Sequence, residues 1–132
     1  MSAEVEYRTR PPLSSDDLND LFGRIWDDHT PSDLSSVIER SLTYICAYID
    51  QELIGYVNVA WDGGEHAFLL DTAVDPSHRR KGIGTHLVLH AAKDTEARGL
   101  RWLHVDFEPH LESFYHACGF RDTMAGLIRL ND

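Results

Sequence analysis

The sequence predicts one α/β domain over residues 1–132, a mixed and mostly antiparallel sheet with helices on both faces. Three observations predict it. Runs rich in β-branched and aromatic residues alternate with segments whose apolar residues recur at helical spacing. Two polar turns, Asp50-Gln51-Glu52 and Asp62-Gly63-Gly64-Glu65, join successive strand-like runs as hairpins. A long helical pattern then separates residues 67–74 from residues 100–107, and two strands joined through a helix run parallel.

Residues 4–8 alternate weakly and form a first strand, ended by Pro11-Pro12. Ser14-Ser15-Asp16-Asp17 reads as a helix start, with a capping side chain and acids in the first turn. Leu18, Leu21, Phe22 and Ile25 then make one buried face, and residues 27–31 break the helix. A short second helix carries Leu34, Val37 and Ile38 on its apolar side. Residues 42–49 and 53–61 are the first hairpin. In residues 67–74 Asp71 is the only charge, which places that strand inside the sheet. A helix from about Gly82 to Ala97 turns Ile83, Leu87, Ala91 and Thr95 inward, and Gly99 closes it. Pro109 and Gly119 bracket a last helix bearing Leu111, Phe114 and Tyr115, and residues 120–130 are expected to add one or two final strands.

Composition narrows the function classes. A net charge of −10 argues against nucleic acid as the main partner and favours cationic ones. No run approaches the roughly 18 apolar residues of a membrane span, and no signal-peptide pattern opens the chain. Cys46 and Cys118 fit no metal or redox spacing and read as reduced thiols, so a cytoplasmic protein without membrane partners is expected.

Residues 74–85 carry the chemistry. Asp75-Pro76 ends a strand, Arg79-Arg80-Lys81 follow, and Gly82-Ile83-Gly84-Thr85 opens a helix. Three of only 12 lysines and arginines stand together here, a local inversion of charge on an acidic chain. Glycines let backbone amides approach a ligand closely, and free amides at the positive end of a helix dipole suit phosphate. The stretch reads as a loop that holds a pyrophosphate. It is neither a P-loop, whose Gly-x-x-x-x-Gly-Lys-Ser/Thr string is missing, nor a dinucleotide fingerprint, because Leu87 stands where the third glycine belongs.

Two motifs in order go further. Arg79-x-x-Gly82-x-Gly84 after one strand, then Phe114-Tyr115-His116-Ala117-Cys118-Gly119-Phe120 after the next, resemble the GNAT superfamily of N-acetyltransferases. The match in element order runs along the whole chain and is firmest over residues 42–120. The resemblance implies a GNAT-like sheet whose parallel pair splays apart around the pantetheine arm of acetyl-CoA. That arm would pair with the backbone of Thr72, Ala73 and Val74, while Arg79, Arg80, Lys81, Gly82, Ile83, Gly84 and Thr85 would hold the pyrophosphate. It also implies Tyr115 as the general acid that protonates the departing thiolate.

The proton-accepting base is where this chain departs from many relatives. Counting back from Val74 at period two puts Phe68 and Leu70 at the family's usual base positions, and neither takes a proton. By the same count Asp71 points to the other face. Glu108, His104 and Asp106 remain, and Glu108 reads equally as a base, an amine anchor or a helix cap. No metal is expected: His86 and His90 lie one helical turn apart, but no third ligand accompanies them. The partners expected are acetyl-CoA and a primary amine, in a small cationic molecule for which Asp27, Asp28, Asp62 and Glu65 are candidate anchors and Trp26 a pocket wall. A protein N-terminal or lysine acetyltransferase and a non-catalytic acyl-CoA-binding module are the alternatives. Oligomeric state is open, a homodimer included.

Overall fold

The computed structural model describes residues 4–132. The elements run β1 (Glu6–Thr9), α1 (Ser15–Ile25), α2 (Ser35–Arg40), β2 (Thr43–Ile49), β3 (Glu52–Trp61), β4 (His66–Val74), a 3₁₀ turn (Pro76–His78), α3 (Ile83–Ala97), β5 (Trp102–His104), a second 3₁₀ turn (Pro109–Leu111) and α4 (Glu112–Ala117). The five strands lie in sequence order, β1 to β4 antiparallel and β4 to β5 parallel. Ser14 caps α1 as its residue type predicts, its hydroxyl accepting from the Asp17 N–H at 3.0 Å.

Period-two alternation in β2, and in β3 on either side of a register shift that leaves Ile54 between the pairs Ala47–Gly55 and Tyr48–Leu53, builds a core on each side of the sheet. Ile45, Ala47, Ile54, Val57 and Val59 meet Ile83, Leu87, Val88 and Ala91 of α3 on one face, with Tyr115 of α4 closing that layer. Tyr44, Cys46, Tyr48 and Tyr56 meet Leu18, Leu21 and Phe22 of α1 on the other. Burial pushes the Cys46 thiol up to about 12, so it stays protonated and packs as a small apolar group. No helix among the described residues is long and apolar enough to cross a membrane.

Two expectations change. The first concerns β4. Gly55 pairs with Val74 and Tyr56 with Ala73, but Asn58 pairs with Leu70, so two steps on β3 oppose three on β4. The extra residue is a β-bulge, and Asp71 within it has φ +57°. Leu69 therefore packs in the α3-side core while Ala73, four residues on, packs in the α1-side core. A count at period two cannot cross that bulge. Phe68 and Leu70, paired with Ala60 and Asn58, lie on the α1–α2 face, opposite to Val74.

The second concerns the end of the chain. Residues 121–132 form no strand. A strand exists only where a neighbour takes its backbone groups, and these residues have none among the described ones. β5 is likewise shorter than its sequence pattern, because the parallel ladder stops at the pair Phe68–His104.

Candidate active site

The short ladder makes the site. β4 continues six residues beyond Phe68 to Val74, while β5 stops pairing at His104, so the two chains part and a groove opens between them. Its volume is about 660 Å³. One wall is Thr72, Ala73 and Val74 of β4; the second is the turn and helix start, with His78, Arg79, Arg80, Gly82, Ile83, Gly84 and Thr85. Phe114 and Tyr115 of α4, with His110 and Leu111 before it, face them, and Ile25 and Trp26 at the end of α1 close the mouth.

Gly82 sits just before α3 with φ +75°, a conformation that side-chain-bearing residues adopt at a cost, and it turns the chain into the helix. The amides of Ile83, Gly84 and Thr85 precede the first intrahelical bond, His86 N–H to the Gly82 carbonyl at 3.1 Å, and are left free. Gly84 admits close packing: a Cβ there would lie 3.3 Å from Phe114 Cζ. The carboxylate of the stretch is turned inward. Asp75 is buried, accepts from the Ser77 N–H at 2.9 Å and pairs with Arg24 Nε of α1 at 3.0 Å. Among the described residues the cations of the loop thus have no carboxylate partner, and the side chain of Lys81 meets His78 Nδ1, at 3.2 Å.

Tyr115 is buried, stacked on Phe107 at 4.9 Å between ring centroids, with Phe114 edge-on at 4.8 Å. Its hydroxyl reaches the groove beside Thr72, whose Oγ1 is 3.5 Å away. Beyond Thr72, a second hollow of about 230 Å³ lies between α2 and the sheet, lined by Ser36, Val37, Arg40, Ser41, Asn58, Ala60 and Leu70. β4 thus carries Leu70 into the hollow and Thr72 into the groove, and the bulged Asp71 stands between them. Asp71 remains in contact with solvent, yet the surrounding protein desolvates its carboxyl and raises its pKa. Its charge contributes to raising the buried Tyr56 phenol pKa, on the α1 side.

Of the residues read from sequence as cofactor-binding, all but Lys81 line the groove, and Tyr115 lines it with them. Glu108 does not. It is exposed, its side chain caps nothing, and only its carbonyl is engaged, by the Leu111 N–H at 2.9 Å. His104 stands on the last rung of the parallel pair, where the strands part, but does not line the groove: it is hydrogen-bonded to His66 at 2.8 Å and stacked on Phe68. Trp26 does wall the groove, as its position after α1 suggested; Ile25, His78, His110 and Leu111 join it with no local signal in the sequence. His86 and His90 are exposed; His90 stacks on Tyr7 and His86 packs against the same ring at a tilt.

Residues 9–120 match the family described as Acetyltransferase (GNAT) family. The chain belongs to that family. Among solved structures, a GNAT-family acetyltransferase of Streptococcus pneumoniae superposes on this GNAT chain with a TM-score of 0.83 at 22% identity, covering 97% of this chain and 98% of its own. An aminoglycoside N-acetyltransferase solved in complex with CoA gives 0.76 at 18% identity, covering 99% and 97%. A curated relative, mycothiol acetyltransferase of Nocardia farcinica, is 38% identical over 63 residues, 48% of this chain. The match spans about a fifth of that relative's length, 21%.

Proposed function

We propose that the chain moves an acetyl group from acetyl-CoA to a primary amine of a small cationic molecule. The observation that carries the reading is the groove. Free helix-start amides and the loop cations stand at one end of it, the backbone edge of Thr72–Val74 that β5 leaves unpaired along one wall, and the Tyr115 hydroxyl at the other end. An anionic pyrophosphate suits the first, an amide-rich pantetheine arm the second and a departing thiolate the third. The acetyl thioester supplies the activated carbonyl.

The residues of the chain then have separate tasks. Arg79 and Arg80 attract the phosphates, and the amides of Ile83 to Thr85 hold them. A backbone N–H near Val74 stabilises the oxyanion that forms as the amine attacks; that of Asp75 is committed to the Ile54 carbonyl at 2.8 Å. Asp71 takes the proton that the amine must lose. Asp71 lines neither the groove nor the hollow; its support is its place in the chain between Leu70 of the hollow and Thr72 of the groove, together with a carboxyl whose pKa is raised by desolvation. Tyr115 gives a proton to the thiolate as the carbon–sulfur bond breaks. Asp27 and Asp28, exposed directly after Trp26 at the groove mouth, attract a cationic acceptor.

A thiol-release assay with acetyl-CoA across polyamines, aminoglycosides, amino acids and peptides tests this. Turnover on one of the small cationic amines is expected. Turnover on peptides alone would move the acceptor to protein, and tight CoA binding with no turnover on any amine would make the chain a binding module.

A further inference from the structure

The loop that faces the phosphate end of the groove carries an anion at its root. Asp75 follows Val74 directly, and Val74 and His78, on either side of the turn, both line the groove. Its backbone and one carboxylate oxygen are tied down there. The Asp75 N–H donates to the Ile54 carbonyl at 2.8 Å, its carbonyl accepts from the His78 N–H at 2.9 Å, and its Oδ1 accepts from the Ser77 N–H at 2.9 Å. A buried negative charge is therefore fixed beside the seat proposed for a pyrophosphate.

The charge that answers it comes from α1, outside both sequence motifs. Arg24 Nε meets Asp75 Oδ2 at 3.0 Å, and the same guanidinium donates to the Leu53 carbonyl at 2.7 Å, with the exposed Glu52 carboxylate 3.7 Å away. A guanidinium fork reaches two acceptors at once and keeps its charge at any working pH. Arg24 is thus held on β3 by one arm and on the loop by another. It does not line the groove itself, although Ile25 and Trp26, the next two residues, do.

We infer that Arg24 is a positioning residue for the donor. It acts through Asp75, cancelling the buried carboxylate so that Arg79 and Arg80 present net positive charge to the phosphates. This rests on the reading that the groove holds the pyrophosphate of CoA. A side chain that merely packed α1 against the sheet would weaken binding whichever partner was changed. The electrostatic role gives opposite signs instead. Removing the cation leaves an anion beside the phosphates, and removing the anion leaves a cation there. Two unit charges about 10 Å apart, at an effective dielectric constant of about 20, shift an equilibrium roughly tenfold.

Titration calorimetry with CoA at low ionic strength, on the full chain, reads the signs. Arg24→Gln is expected to bind CoA roughly tenfold more weakly than wild type. Asp75→Asn, whose amide oxygen still accepts from the Ser77 N–H, is expected to bind it several-fold more tightly. The double variant is expected to return to within about threefold of wild type. Arg98→Gln, which breaks the surface pair with Asp94 on α3, controls for net charge and is expected to leave the affinity unchanged. An Asp75→Asn variant that binds CoA no more tightly than wild type overturns the inference, even where Arg24→Gln fails to fold, because misfolding yields no gain in affinity. A folded Arg24→Gln variant within about twofold of wild type also overturns it, as does a double variant weaker than both singles. A wild type that does not bind CoA fails one step earlier: it removes the groove reading, and the role of Arg24 with it.

Discussion

Gly84 lies in the first turn of α3 with its Cα facing the ring of Phe114, across the groove from β4. A Cβ placed there would be 3.3 Å from Phe114 Cζ, 3.4 Å from Cε1 and 3.8 Å from Val74 Cγ2. Alanine therefore asks the ring to yield by a few tenths of an ångström. Valine adds two methyl groups beside Phe114 and Val74, both of which line the groove. Overfilling a packed site costs about 1–3 kcal/mol. At about 1.4 kcal/mol per decade, a cost borne by the bound state lowers CoA affinity roughly 5- to 150-fold. Gly82 supplies the contrast. A Cβ there meets nothing nearer than His86 Cδ2 at 3.8 Å, so Gly82→Ala acts through its φ of +75° instead. That backbone strain, about 1–2 kcal/mol, is expected to lower the thermal midpoint. Titration calorimetry with CoA and a thermal melt of each variant separate the two effects. If Gly84→Val binds CoA within twofold of wild type at an unchanged melting temperature, the donor does not lie in this groove.

Three further outcomes are expected. Tyr115→Phe keeps the stacked ring and loses only the hydroxyl, so turnover falls while CoA affinity measured by calorimetry stays within about threefold; equal turnover makes Tyr115 structural. Asp71→Asn removes a carboxyl whose pKa is raised by desolvation, a group that stabilises the fold while protonated and loses that contribution as pH rises through its folded pKa. The asparagine variant is therefore expected to melt higher than wild type at pH 7, with the gap closing as pH falls below the ordinary carboxylate range, and to lose turnover at every pH; full activity would remove Asp71 from the chemistry. Leu21→Ala empties a fully buried site between α1 and the sheet and should cost about 2–5 kcal/mol by urea unfolding, whereas a loss under 1 kcal/mol would mean that α1 does not anchor the fold.

Much of this was legible because the decisive signals were local. Ser14 announced α1, Asp75-Pro76 and Gly82 bracketed the loop, and the apolar spacing of Ile83, Leu87, Ala91 and Thr95 matched the buried face of α3. Tyr115 was found through the order of two motifs. What stayed hidden depends on partners distant in sequence. No glycine or proline marks the bulge at Asp71; it arises from how β4 registers against β3, and a period-two count passes through it unaware. His110 and Leu111 reach the groove because a 3₁₀ turn aims them there, and Glu108, one residue away from that turn, is aimed elsewhere. Residues 120–130 have the composition of a strand, but composition does not supply the neighbouring edge that makes one.

The bulge also gives the molecule a grammar of faces. One inserted residue, Asp71, rotates the remainder of β4 by half a turn, so that Phe68 and Leu70 look toward α1 and α2 while Thr72 and Val74 look toward α3 and α4. Losing that single codon would make Leu70 and Thr72 consecutive, and ordinary alternation would still send them to opposite faces. Such a deletion would flatten the bulge and remove its carboxyl while leaving both faces of the strand as they are. The extra residue therefore adds a charged group between two faces without rewriting either.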